Sequence, residues 1–494
     1  MGGSMRRARG STRVAWIALA CVAGAAQAQT VPTLEAHVLA RAAYGADAWS
    51  RQRIADLGVD AYLEEQLHPE SIPDAALDAR LAGYSSLDQP LIALVADYAN
   101  DPSAPLTELS RARLLRAVFS HRQLEQVLVD FWYDHFNVFA GNGRTPSMSV
   151  LPYERDAIRP HVLGRFADLL RAVARSPAML YYLDNFLNVK SGFVSESGPR
   201  KGLNENFARE LLELHTVGTA SRFTQADVVD TARAFTGWTA QPPPQGDADC
   251  FFFYSQSHDQ DTKRVLGLTL PRGRGIEDGV DLLNFLARLP STARRVCAQL
   301  AERFVSDTAP ARLIGECAQV FIQSGGDLRA VTRTILFSRE FRDPALRSNK
   351  LKRPLFFLAS MLRATGAYPD DRELDGFLDY LRRLGEAPYL AHPPTGYPEA
   401  SSHWSAGGSL LTRLELVATA TEADAALGIR WGVSAGSAGA LVDALGAQLL
   451  EAAPVPATRA AAIAGVRALG AAPDALRVRE AGALLLASPD FMQH

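Results

Sequence analysis

Apolar residues recur at intervals of three and four along most of this chain of 494 residues. Such spacing lines one face of an α-helix, whereas runs that alternate between apolar and polar residues, the pattern of half-buried strands, are scarce. A content of 47% hydrophobic and 21% charged residues is sufficient for a sizeable buried core. The sequence therefore predicts an all-α fold, a large multi-helical globular body. The strongest helices are predicted at 107–120, 121–139, 153–174, 204–218, 224–238, 277–288, 291–305, 310–323 and 327–338.

Three of these helices carry recognisable start signals. Asp227 follows Thr224 by three residues, the spacing of a capping box, in which each side chain bonds to the backbone amide of the other residue. Asp327 follows a Gly-Gly pair, and Ser291 follows a proline. Because Ser, Thr and Asp side chains accept hydrogen bonds from the free amides of a first helical turn, we expect helices to begin at these places.

Residues 241–275 break the helical pattern. The stretch opens with Gln-Pro-Pro-Pro and contains the aromatic run Phe251–Tyr254. We predict a Pro-rich irregular insert that holds a short β-hairpin and acts as a lid or a partner surface, because loops often carry function. Burial of the aromatic run by packing is the alternative. A second irregular stretch, rich in Ser and Gly, spans 191–202.

The first 28 residues have the composition of a cleavable signal peptide. Four arginines precede an apolar run, Val14–Ala23, and Ala26-Gln27-Ala28 fits a cleavage site with small residues. The run is half of the roughly 20 residues that a bilayer crossing needs, and no later stretch is both long and free of charge. We expect export to the periplasm or beyond the cell after cleavage near Ala28, with no membrane span in the mature chain. We expect the mature chain to comprise a main helical domain, 29–425, and a C-terminal helical segment packed on it, 426–494.

Removing residues 1–28, which contain four arginines and no acidic residue, changes the formal net charge from −3 to −7. A surface with this charge repels nucleic acid on average, so no nucleic-acid partner is expected. The cysteines that remain are Cys250, Cys297 and Cys317, without the CxxC spacing of thiolate metal sites. They allow one disulfide and one free thiol in an oxidising compartment, and Cys297 with Cys317 is the first pair to test.

Two predicted helices each direct one histidine toward the interior. When residues are placed about 100° apart around the helix at 124–139, His135 falls in the middle of an apolar stripe, and Asp130, Asp134 and Asn137 fall on the other side. The helix at 204–218 repeats this arrangement, with His215 near the centre of an apolar arc.

The string Glu-Leu-Leu-Glu-Leu-His, residues 210–215, contains residue types that bind metals. On a regular helix, however, His215 lies about 140° from Glu210 and about 160° from Glu213, so one helix cannot direct them at a single ion. No Gly-x-Ser-x-Gly elbow, phosphate loop, dinucleotide fingerprint or His-Glu-x-x-His motif is present either. Any site is therefore expected to be assembled between helices.

We predict an inter-helix site of His and carboxylate residues. The candidate ligands of a divalent metal ion are His135 and His215, joined by His258 and Asp259 from the insert. The candidate catalytic residues are Glu210, His215 and His135, with Glu210 as a general acid or base. Two alternatives remain open: each histidine is a core residue bonded to a carbonyl or hydroxyl group, and the charged residues around Arg209 form solvated ion pairs.

Three strings closely resemble the bacterial domain-of-unknown-function 1800 family (DUF1800). They are Phe-Trp-Tyr-Asp-His-Phe-Asn at 131–137, Tyr-Glu-Arg-Asp at 153–156 with its continuation to His161, and Asn-Glu-Asn-Phe-Ala-Arg-Glu-Leu-Leu-Glu-Leu-His at 204–215. Pro-Pro-Thr-Gly-Tyr-Pro at 393–398 and Ser-Pro-Asp-Phe at 488–491 extend the resemblance over nearly all of the mature chain.

The resemblance implies a large, exported, helical protein, often encoded beside a second exported family that resembles sulfatases. It supplies no established catalytic residue, so the reaction and substrate are unknown. Two functions are compatible with it: an enzyme of hydrolase or metal-binding type that uses the inter-helix site, and a non-enzymatic envelope scaffold or binding subunit that acts with a sulfatase-like exported partner.

Overall fold

The structure is a computed structural model, in which we describe residues 31–141, 143–195, 198–199, 202–242, 245–422, 426–433 and 436–494. The predicted signal peptide, residues 1–28, lies outside the described residues. The fold is mostly α-helical, which confirms the predicted class. The α-helices are α1 Leu34–Arg41, α2 Ala48–Leu57, α3 Val59–Gln66, α4 Ala75–Leu81, α5 Leu91–Asp97, α6 Ala104–Phe119, α7 Gln123–His135, α8 Arg144–Pro152, α9 Phe166–Arg175, α10 Pro177–Tyr182, α11 Asn206–Glu210, α12 Gln225–Ala234, α13 Glu277–Leu286, α14 Pro290–Phe304, α15 Ala311–Ser324, α16 Leu328–Leu336, α17 Arg339–Arg342, α18 Pro354–Thr365, α19 Asp371–Arg383, α20 Gly407–Glu422, α21 Ala438–Leu449, α22 Pro456–Ala468, α23 Asp474–Leu486 and α24 Pro489–Met492.

Small antiparallel pairs supply the described β-structure. Strand β1, Val194–Ser195, pairs with β2, Gly198–Pro199. Within and beside the insert, β3, Trp238–Ala240, pairs with β4, Phe251–Phe253, and β5, Lys263–Val265, pairs with β6, Leu268–Leu270. The hairpin predicted for the insert is thus confirmed.

Helices with strong local signals lie where the sequence places them. Helices α13 to α16 match the predictions at 277–338 within one or two residues at each end. The capping box at Thr224 is present, since the Thr224 Oγ1 accepts a bond of 3.2 Å from the Asp227 amide. Asp327 caps α16 in the same way. Ser291 makes no such cap, because α14 begins one residue earlier, at Pro290.

Two predicted helices are irregular in the structure. The segment predicted at 153–174 begins with a π-helical turn, Tyr153–Ile158, and a 3-10 turn, Arg159–His161, before α9 starts. Pro160 lies in that 3-10 turn and has no amide to continue a helix. The segment predicted at 204–218 is the short helix α11, followed by a π-helical turn, Leu211–His215. Because π turns are rare and concentrate at functional sites, the region around the two π turns is a candidate functional site.

Helix α7 lies at the centre of the fold. Every residue of α7 except Glu125 is buried, and so is every residue of α18 except Ala364. A helix buried on all sides has no solvated face, so the charges on α7 must be neutralised inside the protein. The buried groups that neutralise these charges are part of the candidate site.

The C-terminal helices contact the body of the fold. Helices α21, α22 and α23 pack on one another, and α21 also contacts α18. The Lys352 ammonium lies 3.2 Å from the Glu451 carboxylate, and Leu351 forms a β-bridge with Gln493. Within the described residues, no helix is both long enough and apolar enough to span a bilayer.

Candidate functional site

The end of α7 directs neighbouring side chains into three different environments. Asp134 lies in a buried charge cluster, His135 contacts the π turn at 211–215, and Asn137 bonds to the segment at 391–399. The string at 153–156 holds this end in place, since the Tyr153 hydroxyl donates a 2.6 Å bond to the Phe136 carbonyl. Four of the strings quoted above, at 131–137, 153–161, 204–215 and 393–398, therefore meet at one point of the fold.

Arg353 occupies the centre of the charge cluster and is 2% exposed. Its guanidinium donates bonds of 2.7 Å to the carboxylates of Asp134, Glu386 and Glu399. Asp130 lies 3.7 Å from the same guanidinium. We call this set, together with Arg113 and Arg303, which also contact Asp130, the Arg353 cluster.

The Arg353 cluster contains four carboxylates and three guanidinium groups, so full ionisation would leave one buried negative charge. The pKa values of Asp134 and Asp130 shift in opposite directions as a result. Burial raises the pKa of Asp134 to about 7, and the nearby charge of Asp130 adds to that rise against the opposing effect of Arg353. Burial acts on Asp130 too, but Arg113, Arg353 and Arg303 lower its pKa to about 2. A proton held on Asp134 thus relieves the excess charge.

The segment at 391–399 closes over the end of α7. The Asn137 amide donates 2.8 Å bonds to the carbonyls of Ala391 and Pro393, and the Tyr397 amide donates a 3.2 Å bond to Asp134. Gly396 has φ +66°, and a Cβ added there would lie 2.4 Å from the Asp134 carbonyl oxygen. The Gly in Pro-Pro-Thr-Gly-Tyr-Pro is therefore required by the close approach of two backbones.

The substitution Gly396→Ala is expected to lower the free energy of unfolding by more than about 1 kcal/mol, because it adds a steric clash to an unfavourable φ. Urea unfolding of the purified variant measures the loss. Gly385→Ala is the matched control, since Gly385 has φ +84° and no atom within 4 Å of its added Cβ. Equal losses in the two variants would show that contact with α7 contributes nothing.

The two inward histidines meet as predicted from their helical faces. His135 is 7% exposed and His215 is 1% exposed, with ring centroids 6.2 Å apart. The His135 Nε2 lies 3.1 Å from the His215 carbonyl oxygen, so this nitrogen carries the proton and donates. A carbonyl at the end of a helix lacks a partner within the helix, and His135 supplies one. Arg295 does the same for the Leu214 carbonyl, at 2.8 Å.

Both imidazoles are neutral at physiological pH. Burial lowers the pKa of His135 to about 3, with a smaller contribution from the Arg295 charge. Burial also lowers the pKa of His215, helped by His135 and Arg295. The His215 Nε2 is buried without a hydrogen-bond partner in the described part of the chain. This nitrogen therefore keeps its hydrogen-bonding capacity unused.

The other two predicted metal ligands belong to a different cluster. The His258 Nδ1 donates to the Thr236 carbonyl at 2.8 Å, and its Nε2 lies 3.5 Å from Asp278. Asp259 uses both carboxylate oxygens on Arg233, at 2.8 and 3.1 Å. The structure does not bring them to His135 and His215, because the insert anchors them to α12 and α13 through these bonds. Among the described residues, no group of three or more His, Cys, Asp or Glu side chains is suited to hold a metal ion, and ligation by the His135 and His215 pair stays a prediction.

Glu210 differs from the carboxylates beside it. Glu205 and Glu213 lie 3.2 and 3.6 Å from the Arg209 guanidinium, whereas Glu210 has no ion pair or hydrogen bond within the described residues. Glu210 is half-buried, and burial, followed by the charge of Glu213, raises its pKa. An unpaired carboxylate with a raised pKa is a candidate for proton transfer in catalysis.

Tyr182 connects Glu210 with the other strings. The Tyr182 hydroxyl donates a 2.8 Å bond to the His392 carbonyl, in the segment that covers α7. Burial raises the pKa of Tyr182 to about 12, the charge of Glu210 contributes to that rise, and hydrogen bonding from Asn137 opposes it. Glu210 and Tyr182 are half-buried and Asn137 is buried, and we call these three residues the Glu210 site.

The aromatic run of the insert packs against neighbouring side chains rather than forming an exposed binding surface. Phe251 is 5% exposed, with its ring 5.2 Å from that of Trp238 and covered by the Arg175 guanidinium at 4.3 Å. Phe253 contacts the His258 ring at 5.3 Å. These contacts favour the packing alternative over a lid or a partner surface.

The structure also contains functional candidates that the sequence patterns missed. Arg353, Glu386 and Glu399 lie more than 200 positions from Asp134 and show no local motif. One signal was available: Asp130 lies within the apolar run 127–132, and such a charge needs a buried partner.

The fold and the site define a mostly α-helical protein that encloses a buried cluster of carboxylates and arginines and carries a half-buried, unpaired glutamate. A family model described as "Protein of unknown function (DUF1800)" matches residues 37–493, nearly the whole chain. The chain therefore belongs to the DUF1800 family, as the strings indicated. Searches of curated proteins and of solved structures find no match.

Proposed function

We propose that this protein is an enzyme of hydrolase type in which Glu210 is the general acid and base. The observation that carries the proposal is the unpaired, half-buried carboxylate of Glu210, in a segment where the neighbouring glutamates are held by Arg209. The family assigns no reaction, so the chemistry is inferred from this group and its surroundings.

The surroundings suit proton transfer. As a base, the Glu210 carboxylate takes a proton from water while the water oxygen bonds to the electrophilic atom of the substrate. As an acid, it then returns that proton to the leaving group as the scissile bond breaks. The half-buried Tyr182 supplies a polar contact for the substrate. His135 holds the π turn that follows Glu210 through the His215 carbonyl.

The substitution Glu210→Gln is expected to reduce hydrolysis by at least about 100-fold, because the amide cannot exchange a proton. The assay compares mature wild-type and variant proteins on chromogenic esters, glycosides and peptides. The pH profile of the wild-type rate should also show a limb whose midpoint lies above 4.5, the ordinary pKa of glutamate, since the pKa of Glu210 is raised.

Glu205→Gln is the control, because Glu205 bonds to Arg209 and Gln225 at the surface and has no role in the proposed reaction. It should retain full activity, and both variants should melt at the wild-type temperature. Full hydrolysis by Glu210→Gln would contradict the proposal.

A binding subunit is the second candidate. Leu187 and Val194 are large hydrophobic residues exposed at 43% and 67% within one connecting segment, and such surfaces often contact partners. The resemblance suggests a sulfatase-like exported protein as the partner. This function requires no carboxylate chemistry, so partner binding would survive Glu210→Gln.

We further propose that the chain acts outside the cytoplasm, in the periplasm or beyond the cell. Two observations support this location. Residues 1–28 have the pattern of a signal peptide, and Cys297 is disulfide-bonded to Cys317, a bond that persists in oxidising compartments.

A further inference from the structure

A pocket lies on a different part of the molecule from the Glu210 site. It has a volume of about 630 Å³ and is formed by the start of α2, the ends of α6 and α18, residues 430–433 and one face of α21. Pockets of roughly 300–1,000 Å³ with apolar walls and few polar groups are typical ligand sites. The volume is thus sufficient for a small organic molecule.

The wall of this pocket is mostly apolar. Trp49, Phe119, Leu362 and Val433 line it, with small residues of α18 and α21 between them. The Trp49 ring is fixed by stacking on His121, with centroids 4.0 Å apart and planes 8° from parallel. A fixed aromatic wall favours the apolar body of a ligand.

The charged groups in the pocket are mainly cationic. Arg363 is paired with Asp47 at 3.1 Å. Arg51 donates a 2.8 Å bond to the Gln448 carbonyl and forms no ion pair with a carboxylate of the described residues. Arg430 bonds through its backbone to Thr365 and Gln448, and its exposed guanidinium has no partner among the described residues. The lining therefore carries a net charge of about +2 in a protein of net negative charge.

We propose that this pocket binds a small organic anion with an apolar body, such as an alkyl carboxylate. The apolar wall receives the alkyl chain, and the guanidinium groups of Arg51 and Arg430 bind the carboxylate through charge-assisted hydrogen bonds. A cationic or neutral chain of equal length gains the wall contacts alone. The proposal is independent of hydrolysis at Glu210.

Calorimetric titration with dodecanoate, kept below its micelle concentration, tests the proposal. We expect saturable binding with one site, and Arg430→Ala should weaken it about tenfold. The Arg430 side chain is exposed and forms no hydrogen bond or ion pair within the described residues, so its removal should leave the fold intact. Arg222→Ala removes another exposed arginine, outside the pocket, and should bind dodecanoate like the wild type.

Ala447→Trp provides a second variant. Ala447 lies on an exposed position of α21 that lines the pocket, so the indole fills the cavity without disturbing the core, and binding should be lost. Dodecyltrimethylammonium should bind more weakly than dodecanoate. Absence of dodecanoate binding, equal binding of the two amphiphiles, or wild-type affinity in both pocket variants would overturn the proposal.

Discussion

Replacing Arg353 with methionine is expected to lower the free energy of unfolding at neutral pH by at least about 3–5 kcal/mol. Methionine preserves most of the volume but removes the positive charge that three carboxylates share at 2.7 Å. The remaining cluster would hold four carboxylates against Arg113 and Arg303. A buried charge without a partner costs far more than an exposed one, so the loss exceeds that of an ordinary ion pair.

The loss should depend on pH with a definite sign. The pKa of Asp134 in the fold is about 7, above the value of 3.8 in an unfolded chain, so the folded state binds more protons between these values. The contribution of Asp134 to stability is therefore complete below about pH 4 and is lost as the pH rises through about 7. Without Arg353, this pKa and that of Glu386 rise further, because Arg353 opposes the rise of both. The deficit of Arg353→Met should thus be smallest near pH 5 and increase toward neutral pH.

Urea unfolding of both proteins from pH 5 to pH 8 measures this difference. Arg383→Met is the matched control, since Arg383 pairs with Glu415 at the exposed surface, and it should cost no more than about 1 kcal/mol at any pH. A deficit in Arg353→Met that is equally small, or that does not change with pH, would show that the cluster contributes little to folding.

The helical regions were predictable because their signals are local. The capping box at Thr224 and the cap at Asp327 involve residues three positions apart, and the structure forms both. The apolar stripe that buries His135 is likewise a property of one helix. These features depend on residues close together in the sequence and need no knowledge of distant residues.

The π turn at 211–215 was not predictable from the same stripe. The apolar pattern of the sequence was interpreted on a regular helix. The π turn instead ends at carbonyl groups that accept hydrogen bonds from side chains of distant segments. The His215 carbonyl faces His135, and the Leu214 carbonyl accepts from Arg295, residues 80 positions away or more. Because the irregular turn is stabilised by tertiary contacts, the wheel angles assumed for Glu210 and His215 do not hold there.

The Arg353 cluster could not be predicted from the sequence for a related reason. Asp134 and Arg353 are 219 positions apart, and no spacing rule connects them. The sequence placed Asp130 and Asp134 on the polar side of their helix, where solvent was the default partner. Because α7 is buried on every side in the fold, the carboxylates of this polar face need buried arginines as partners.

The disulfide between Cys297 and Cys317 joins the middle of α14 to the middle of α15, as expected for the first pair to test. Its removal in the double variant Cys297→Ala, Cys317→Ala is expected to lower the free energy of unfolding by about 3 kcal/mol. The reason is the closed loop: the cysteines are 20 positions apart, and a crosslink of this span restricts the unfolded chain by that amount.

Urea unfolding without reductant measures the effect. Cys250→Ala is the control, because Cys250 is the free cysteine of the described chain and closes no loop. With a reductant present throughout, the unfolded wild-type chain loses its crosslink, and its stability should fall to that of the double variant. Both bonded cysteines are fully buried, so this loss should require unfolding and be slow under native conditions. Equal stability of wild type and double variant without reductant would contradict the prediction and would remove one of the two supports for action in an oxidising compartment.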